Sequence, residues 1–411
     1  MSDVESHDVI IIGGGPAGLA AATELRRLGL RDVVVMEREQ QAGGVPRHCG
    51  HRGFGWREFQ RLLTGPDYAR RLIAATEGID LRTGTTALAL EENGHVKVLT
   101  PGGIRELQGR RILLALGTRE TPRAARLVSG SRPWGVFTTG ALQQLVYLGG
   151  SKPCTRAVII GSELVSFSSL LTLRHAGIQV LAMLEESAHV MAPRPAEWLA
   201  RTALRTRIMK NARLVCIHGD THVTGVEIDR NGTREFLNCD GVIFTGKFVP
   251  EAALLANSPL AIDAATGGPV IDQYGRCTDP TYFAAGNLLR PVEASWTVWS
   301  EGRAVARAIA ASLRGQLPIA MRQVKLTTRD PVRYVCPQYI SFPAFIAPAL
   351  PINVRVTQGV RGRLRLLDGK REIWGSTRGL LPERRITLPS IAHPPEHAAE
   401  WVIEIDLQDR R

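Results

Sequence analysis

The sequence predicts an α/β protein with two Rossmann-like dinucleotide-binding domains, followed by a small all-β domain. Three observations predict it. Residues 8–18 read DVIIIGGGPAG: an apolar strand runs into Gly13, Gly15 and Gly18 in GxGxxG spacing, and then into a helix. Residues 157–166 read AVIIGSELVS, the same strand and turn with Gly161 alone kept from the glycine triplet. From about residue 325 the βαβ pattern gives way to short stretches of alternating apolar and polar residues.

The 411 residues are enough for two or three domains with large cores. Apolar residues make up 44% and charged residues 22%, an ordinary globular balance that speaks against a disordered or fibrous chain. The start, MSDVESHDV, is acidic and polar, unlike a secretory signal. No apolar run reaches the ~18 residues of a membrane span, and FIAPALPI is short and broken by prolines. The net charge is +12, and of the 51 basic residues six are Lys and 45 are Arg, scattered along the whole chain. The plain reading is a solvated, Arg-biased surface, with an acidic partner as the alternative and no nucleic-acid partner expected. The six cysteines at 49, 154, 216, 239, 277 and 336 form neither CxxC nor CxxxxC. Reduced structural thiols in a cytoplasmic setting are expected.

The first unit is a strand at 8–12, the glycine turn, a helix at about 16–28 and a strand at 32–36 that ends on Glu37. Gly13 makes the tight turn, Gly15 lets the backbone approach a pyrophosphate, and Gly18 lets helix and strand pack closely. Pro16 and Ala17 complete the turn. The helix N-terminus offers N–H groups and a positive dipole to phosphates. Glu37 can accept from a ribose diol, while its charge disfavours a 2′-phosphate, which favours FAD or NAD over NADP. Arg38 follows it, and the Gly43-Gly44 pair lets the chain lie against a cofactor, so all are binding candidates. A glycine-rich turn without a ligand is the bland alternative.

In the loop-rich stretch 40–56, His48, Cys49 and His51 look at first like metal ligands. No further Cys, His or acidic cluster completes a tetrahedron, so no metal is expected. His48 and His51 are instead candidates for proton transfer beside a cofactor, with an interface role as the alternative. Residues 85–108 read as a β-meander, and RRILLALGT as a buried strand ending at Gly117, where the chain passes to the next domain.

In the second unit AVIIG, a helix through LLTLRHAG and the strand QVLAML repeat the plan, with Glu185 and Glu186 at the ribose position. Glu163 and Ser166 replace the second and third glycines. A carboxylate in the turn repels a pyrophosphate, so hydride delivery from NAD(P)H is disfavoured and a retained scaffold is favoured. GVIFTGKFVP returns the chain to the first domain, a strand ends at Gly286-Asn287, and an amphipathic helix is expected from about Val292 to Leu313. The stretches LPINVRVTQ, GRLRLLD, REIWGS, RRITLPS and EWVIEIDL, with turns at LDGK and LPER, read as a small sandwich serving docking or interaction, with substrate gating as the alternative. The resulting boundaries are 1–120 with 245–320 for a discontinuous first domain, 121–244 for the degenerate second, and 325–411 for the β domain.

GGGPAGLAAA with Glu37, ALGTRETPRAARLVSG with WGVFTTGALQQ, and DPTYFAAGNLLRPVE with EGR at 301–303 resemble the two-dinucleotide-domain, glutathione-reductase-like FAD oxidoreductases, over about residues 8–315. Within them the chain looks most like the nucleotide-binding subunits of heteromeric dye-linked dehydrogenases: sarcosine oxidase, opine, hydroxyproline and proline dehydrogenases, and hydrogen cyanide synthase. The resemblance implies FAD, with Gly286 and position 287 at its ribityl and phosphate region. Asn287 stands where most relatives have Asp, keeping an acceptor but losing a charge. It also implies an amino-acid-oxidase-type flavoprotein partner that holds the substrate pocket, and a small [2Fe-2S] subunit, because this chain lacks clustered cysteines. The function implied is that of a FAD-binding subunit of a dehydrogenase oxidising an amino acid, imino acid or opine and passing electrons to a quinone- or dye-type acceptor. It would be cytoplasmic, or peripheral to a membrane through its complex. The alternatives are a stand-alone FAD-dependent NAD(P)H oxidoreductase and a scaffold holding a non-redox dinucleotide.

Overall fold

The computed structural model describes residues 4–192, 194–343, 350–382, 384–389 and 399–407. Most of FIAPALPI, Glu383 of the LPER turn and Ser390 of RRITLPS lie outside the described residues. The chain forms two compact units. One comprises Met1–Gly44, Ala69–Thr118 and Val249–Arg411; the other comprises Val45–Tyr68 and Arg119–Phe248.

The first unit opens with β1 (Glu5–Ile12), whose Val9, Ile10 and Ile11 are fully buried, as a parallel strand covered on both faces requires. α1 (Pro16–Arg27) starts on proline, whose fixed φ and missing N–H suit a first helical position, and ends on Arg26 and Arg27 at its negative pole. β2 (Val33–Met36) pairs in parallel with β1, Met36 opposite Ile12. After β3 (Asp80–Arg82) come β4 (Thr86–Leu90), β5 (His95–Thr100) and β6 (Gly103–Leu114). The expected meander and the RRILL strand are thus joined, because β6 is one strand with two jobs. Its first half runs antiparallel to β5 and its second half parallel to β1. The sheet order is β3-β2-β1-β6-β5-β4.

The second unit carries a wholly parallel sheet of β7 (Val136–Thr138), β8 (Arg156–Ile160), β9 (Gln179–Glu185), β10 (Ile208–Lys210) and β11 (Gly241–Phe244), in the order β7-β11-β8-β9-β10. α2 (Leu164–His175) links β8 to β9 and completes the βαβ repeat. A four-stranded sheet of Ser129–Gly130, Ala212–His218, Gly225–Arg230 and Thr233–Leu237 lies beside it in the chain.

The chain then re-enters the first unit, where β12 (Tyr282–Ala284) pairs with β6, Tyr282 opposite Ile112. α3 (Ser295–Leu313) begins three residues later than its amphipathic pattern suggested. The reason is local: Asn287 Oδ1 accepts the N–H of Glu293 at 2.8 Å and holds the intervening residues in a loop. α3 lies against α1 at Gly302, where a Cβ would collide with the Ala17 carbonyl. The remaining chain is a β-sandwich. Its five-stranded sheet runs Tyr339–Phe342, Arg322–Thr328, Glu400–Leu407, Val360–Asp368, Arg371–Leu380. Its three-stranded sheet runs Val332–Cys336, Ile352–Val356, Ile386–Leu388. Both bury one apolar cluster that includes Val324, Val354, Leu364, Trp401 and Ile403.

Candidate nucleotide-binding site

The glycine turn of the first unit shows why each glycine is there. Gly13 sits at φ +112°, and a Cβ on it would collide with the Ala115 carbonyl. A Cβ on Gly18 would collide with the Gly13 carbonyl, so this residue sets how closely α1 approaches β1. Gly15 differs: the one atom a Cβ would meet within 4 Å is Gly44 Cα, at 3.9 Å. The protein does not need a glycine there for its own packing. Gly44, at φ +60°, brings its backbone against Gly15, and Gly43 N–H donates to the Gly14 carbonyl at 2.7 Å. Two bare backbones thus face each other at the start of α1. No side chain caps that helix and no acidic residue stands in its first turn, so its positive end is left for an external anion.

Glu37 follows β2 and is 8% exposed. Its Oε2 accepts the Gly14 N–H and its Oε1 the Glu39 N–H, both at 2.9 Å. These bonds fix the carboxylate beside the turn, and each oxygen keeps a second acceptor site. Arg38 is exposed next to it. On the far side of β1, Gly286 (φ +79°) ends β12; its missing Cβ allows contact with Ala17, and its N–H donates to Glu301 Oε2 at 3.1 Å. The side-chain oxygen of Asn287 is engaged by its own loop, as described. Gly117 (φ +75°) stands in open space, and its carbonyl accepts the Glu251 N–H where the chain returns. This cradle fits a dinucleotide: the bare helix end and glycines suit a pyrophosphate, and Glu37 a ribose diol.

His48 and His51 stand in the second unit, whereas all the other sequence-predicted site residues stand in the first. His48 is buried, and His51 Nδ1 lies 3.0 Å from the Arg52 carbonyl with its ring 5.3 Å from Phe54.

The second unit repeats the bond that anchors the turn to its neighbouring strand. Gly161 N–H donates to the Leu184 carbonyl at 2.8 Å, as Gly13 N–H does to Met36. Glu185 ends β9, where it accepts from the hydroxyl of Ser162 and from Ser187 N at 2.9 Å. Here Glu163 stands at the N-terminal boundary of α2, in the position of Gly15, with no side-chain cap bond to the helix backbone. Its Oε2 accepts from Ser166 Oγ at 3.0 Å and Thr245 Oγ1 at 3.2 Å. Behind it Arg126 donates to the carbonyls of Thr245 and Gly246, each at 2.8 Å, with its guanidinium 5.2 Å from the Phe244 ring centroid. Burial pulls the Arg126 pKa down, and Glu163 acts against that shift. The carboxylate therefore fills the turn and is held there. Sequence reading missed Arg126 and Thr245; the one available signal was the position of Thr245 directly after the apolar strand VIF.

All six thiols are free. Burial pushes Cys49 and Cys154 up to about 12, and Cys239 and Cys336 to about 11, far from a reactive thiolate. Among the described residues no group of three or more His, Cys, Asp or Glu could hold a metal ion.

The pyridine nucleotide-disulphide oxidoreductase family model matches residues 7–311. An opine oxidase subunit of Agrobacterium tumefaciens is 24% identical over 78% of this chain and 67% of its own length. The corresponding opine oxidase subunit of Rhizobium meliloti is 31% identical over 44% of this chain and 39% of its length. An alkyl hydroperoxide reductase subunit of Staphylococcus aureus is 25% identical over 69% of this chain and 54% of its length. The chain thus spans between about two fifths and two thirds of these relatives. Among solved structures, T. acidophilum thioredoxin reductase aligns with TM-score 0.65 and 20% identity, over 75% of this chain and 99% of that one. L-proline dehydrogenase from P. horikoshii aligns with TM-score 0.59 and 21% identity, over 77% and 57%. Both are likenesses of fold. The chain belongs to the pyridine nucleotide-disulphide oxidoreductase family, and with it to the flavin-dependent oxidoreductases.

Proposed function

We propose that this chain is the FAD-binding subunit of a multi-subunit flavin dehydrogenase that oxidises a C–N bond in an amino acid, imino acid or opine. The observation that carries the reading is the contrast between the two turns. One is bare backbone at a helix N-terminus; the other holds the Glu163 carboxylate at the same place. The similarity to the two opine oxidase subunits supports the substrate class and the existence of partner subunits. The family's dithiol chemistry finds no paired cysteines in this sequence.

In this reading residues 1–120 and 245–320 carry the cofactor, residues 121–244 a nucleotide-type scaffold, and residues 325–411 a β domain. Bound FAD supplies electron acceptance and relay. Gly13, Gly15, Pro16, Ala17 and Gly18 with the α1 N-terminus hold its pyrophosphate, and Glu37 beside Arg38 its adenosine ribose. Gly43 and Gly44 lie against it, Gly117 passes close by, and Gly286 with Asn287 takes the ribityl region. His48 and His51 are the candidate proton-transfer groups. An amino-acid-oxidase-type flavoprotein and a small [2Fe-2S] subunit are the partners, with electrons leaving to a quinone- or dye-type acceptor. The setting is cytoplasmic, or membrane-peripheral through the complex; no described helix is long and apolar enough to cross a membrane.

A second reading, a stand-alone FAD-dependent NAD(P)H oxidoreductase, is favoured by the match to the pyridine nucleotide-disulphide oxidoreductase family model. The test is an anaerobic titration of the purified chain with NADH, alongside co-purification from the native source. The proposal expects a yellow protein whose flavin is not bleached by NADH and which co-purifies with further subunits. Rapid bleaching of the isolated chain would establish the second reading instead. A colourless chain that releases a non-redox dinucleotide on denaturation would leave the scaffold role.

A further inference from the structure

The loop between Gly286 and α3 carries a buried charge network that cofactor binding, as described, does not use. Arg290 is 1% exposed. A guanidinium stays charged when buried and so must be paired there. Arg290 Nη2 donates to Glu301 Oε1, and its Nε lies 3.5 Å from Glu293 Oε1. The other oxygen of Glu301 is the one that accepts the Gly286 N–H. A single carboxylate therefore ties Arg290 to the turn. The β-sandwich completes the arrangement. Arg355 Nη2 donates to the Val292 carbonyl at 2.8 Å and lies 3.8 Å from Glu293 Oε1. Arg385 Nη1 lies 3.4 Å from Glu293 Oε2, with its guanidinium 5.5 Å from the Trp296 ring centroid. Cys336 of the sandwich places its Sγ 3.7 Å from Arg290 Nη1.

Sheet order shows which part of a dinucleotide this loop faces. Glu37 follows β2, the glycine turn follows β1, and Gly286 follows β12, which lies on the far side of β6 from β1. A ligand whose adenosine ribose sits at Glu37 and whose pyrophosphate sits at the glycine turn extends its other half toward Gly286. The network is thus built under the half that distinguishes FAD from ADP.

Resting on the FAD reading above, we propose that Arg290, Arg355 and Arg385 are positioning residues for the flavin-side half of the cofactor. They hold Glu301 and Glu293 so that the Gly286 turn keeps its shape, which makes the C-terminal β domain a working part of the cofactor site.

The test compares the FAD and ADP affinities of apoprotein for the wild type, Arg290→Met, Arg355→Met and Arg385→Met. ADP reports the Glu37 and glycine-turn half alone, so general loosening of the fold moves both affinities together. Arg290→Met should weaken FAD binding about tenfold, and each sandwich variant about threefold, with ADP affinity within about twofold of wild type. Arg385→Lys, which keeps the charge near Glu293, should restore part of the loss. Equal losses for FAD and ADP, or unchanged FAD affinity in the two sandwich variants, would overturn the proposal while leaving FAD binding itself intact. A wild-type protein that binds ADP but shows no preference for FAD would overturn both this proposal and the FAD assignment.

Discussion

Glu163 stands in the second βαβ unit where Gly15 stands in the first, and its carboxylate closes on the hydroxyls of Ser166 and Thr245 at 3.0 and 3.2 Å. The same backbone geometry is thus left open in one half and filled by the chain's own anion in the other. A phosphate entering the second turn would meet a like charge that the neighbouring hydroxyls hold in place.

Removing that charge is the direct check. Glu163→Gly should raise NADH affinity at least about tenfold over a wild type that binds weakly, since desolvated like-charge repulsion is lost. Isothermal titration of both proteins measures it. Equal affinities would show that something other than the carboxylate closes the site.

Gly15 and Gly13 should respond in opposite ways. A Cβ on Gly15 meets Gly44 Cα alone within 4 Å, at 3.9 Å, and the φ there is an ordinary −84°, so the Gly15→Val apoprotein should melt near the wild-type temperature. Its FAD content should nevertheless fall to near zero. Gly13→Ala forces a Cβ into the Ala115 carbonyl at φ +112° and should cost about 2–4 kcal/mol in denaturant unfolding. A Gly15→Val protein that purifies yellow would contradict the pyrophosphate assignment.

Glu37→Ala removes the acceptor from two backbone N–H groups as well as the proposed ribose ligand. Stability should drop by about 1–2 kcal/mol. Glu37→Gln keeps one acceptor oxygen but turns an NH2 donor toward the other backbone N–H, so it should cost about 1 kcal/mol. With the charge gone it should also lose discrimination between ADP and 2′-phosphorylated ADP, as competition binding would show.

Acid stability should depend on Glu24. This residue is 2% exposed on α1 and is bound by Arg27 at 2.8 Å, by Arg303 at 2.8 Å and by Arg307 at 2.7 Å. Burial works against its charge, but the hydrogen bonds from Arg27, Arg307 and Arg303 outweigh burial and hold its pKa at about 2. The folded value lies below the unfolded value of about 4.3, so the contribution is whole above that pH and is lost as pH falls toward about 2. Glu24→Gln should lower stability by about 2 kcal/mol at neutral pH and flatten this part of the acid unfolding curve. An unchanged slope would exclude Glu24 as its source.

Both nucleotide-type units were readable in the sequence because their signals are local. An apolar strand, a glycine turn and a helix within eleven residues leave few other folds, and period-two alternation marked most strands of the sandwich. The misplaced start of α3 shows where local reading ends. The amphipathic pattern reaches back to Val292, but the side chain of Asn287 takes the Glu293 N–H and delays the helix. The network of Arg290, Glu301, Arg355 and Arg385 was invisible for the same reason: its members are up to 95 positions apart, and nothing in an isolated arginine shows which carboxylate it meets. Arg126 was missed likewise, because its partners are the carbonyls of Thr245 and Gly246, and carbonyls carry no sequence signature.

The strand Glu400–Leu407 lies in the middle of its sheet, parallel to Arg322–Thr328 and antiparallel to Val360–Asp368. A nascent chain that has emerged only to residue 399 leaves both neighbours with raw edges, so the sandwich cannot close until that strand arrives. Two of the three arginines proposed to brace the Gly286 turn, Arg355 and Arg385, belong to this sandwich. On that proposal cofactor loading is tied to the order of synthesis: a half-made chain can display the glycine turn early, but it gains its full grip on the flavin-side half only after the eight residues from 400 to 407 have threaded into place.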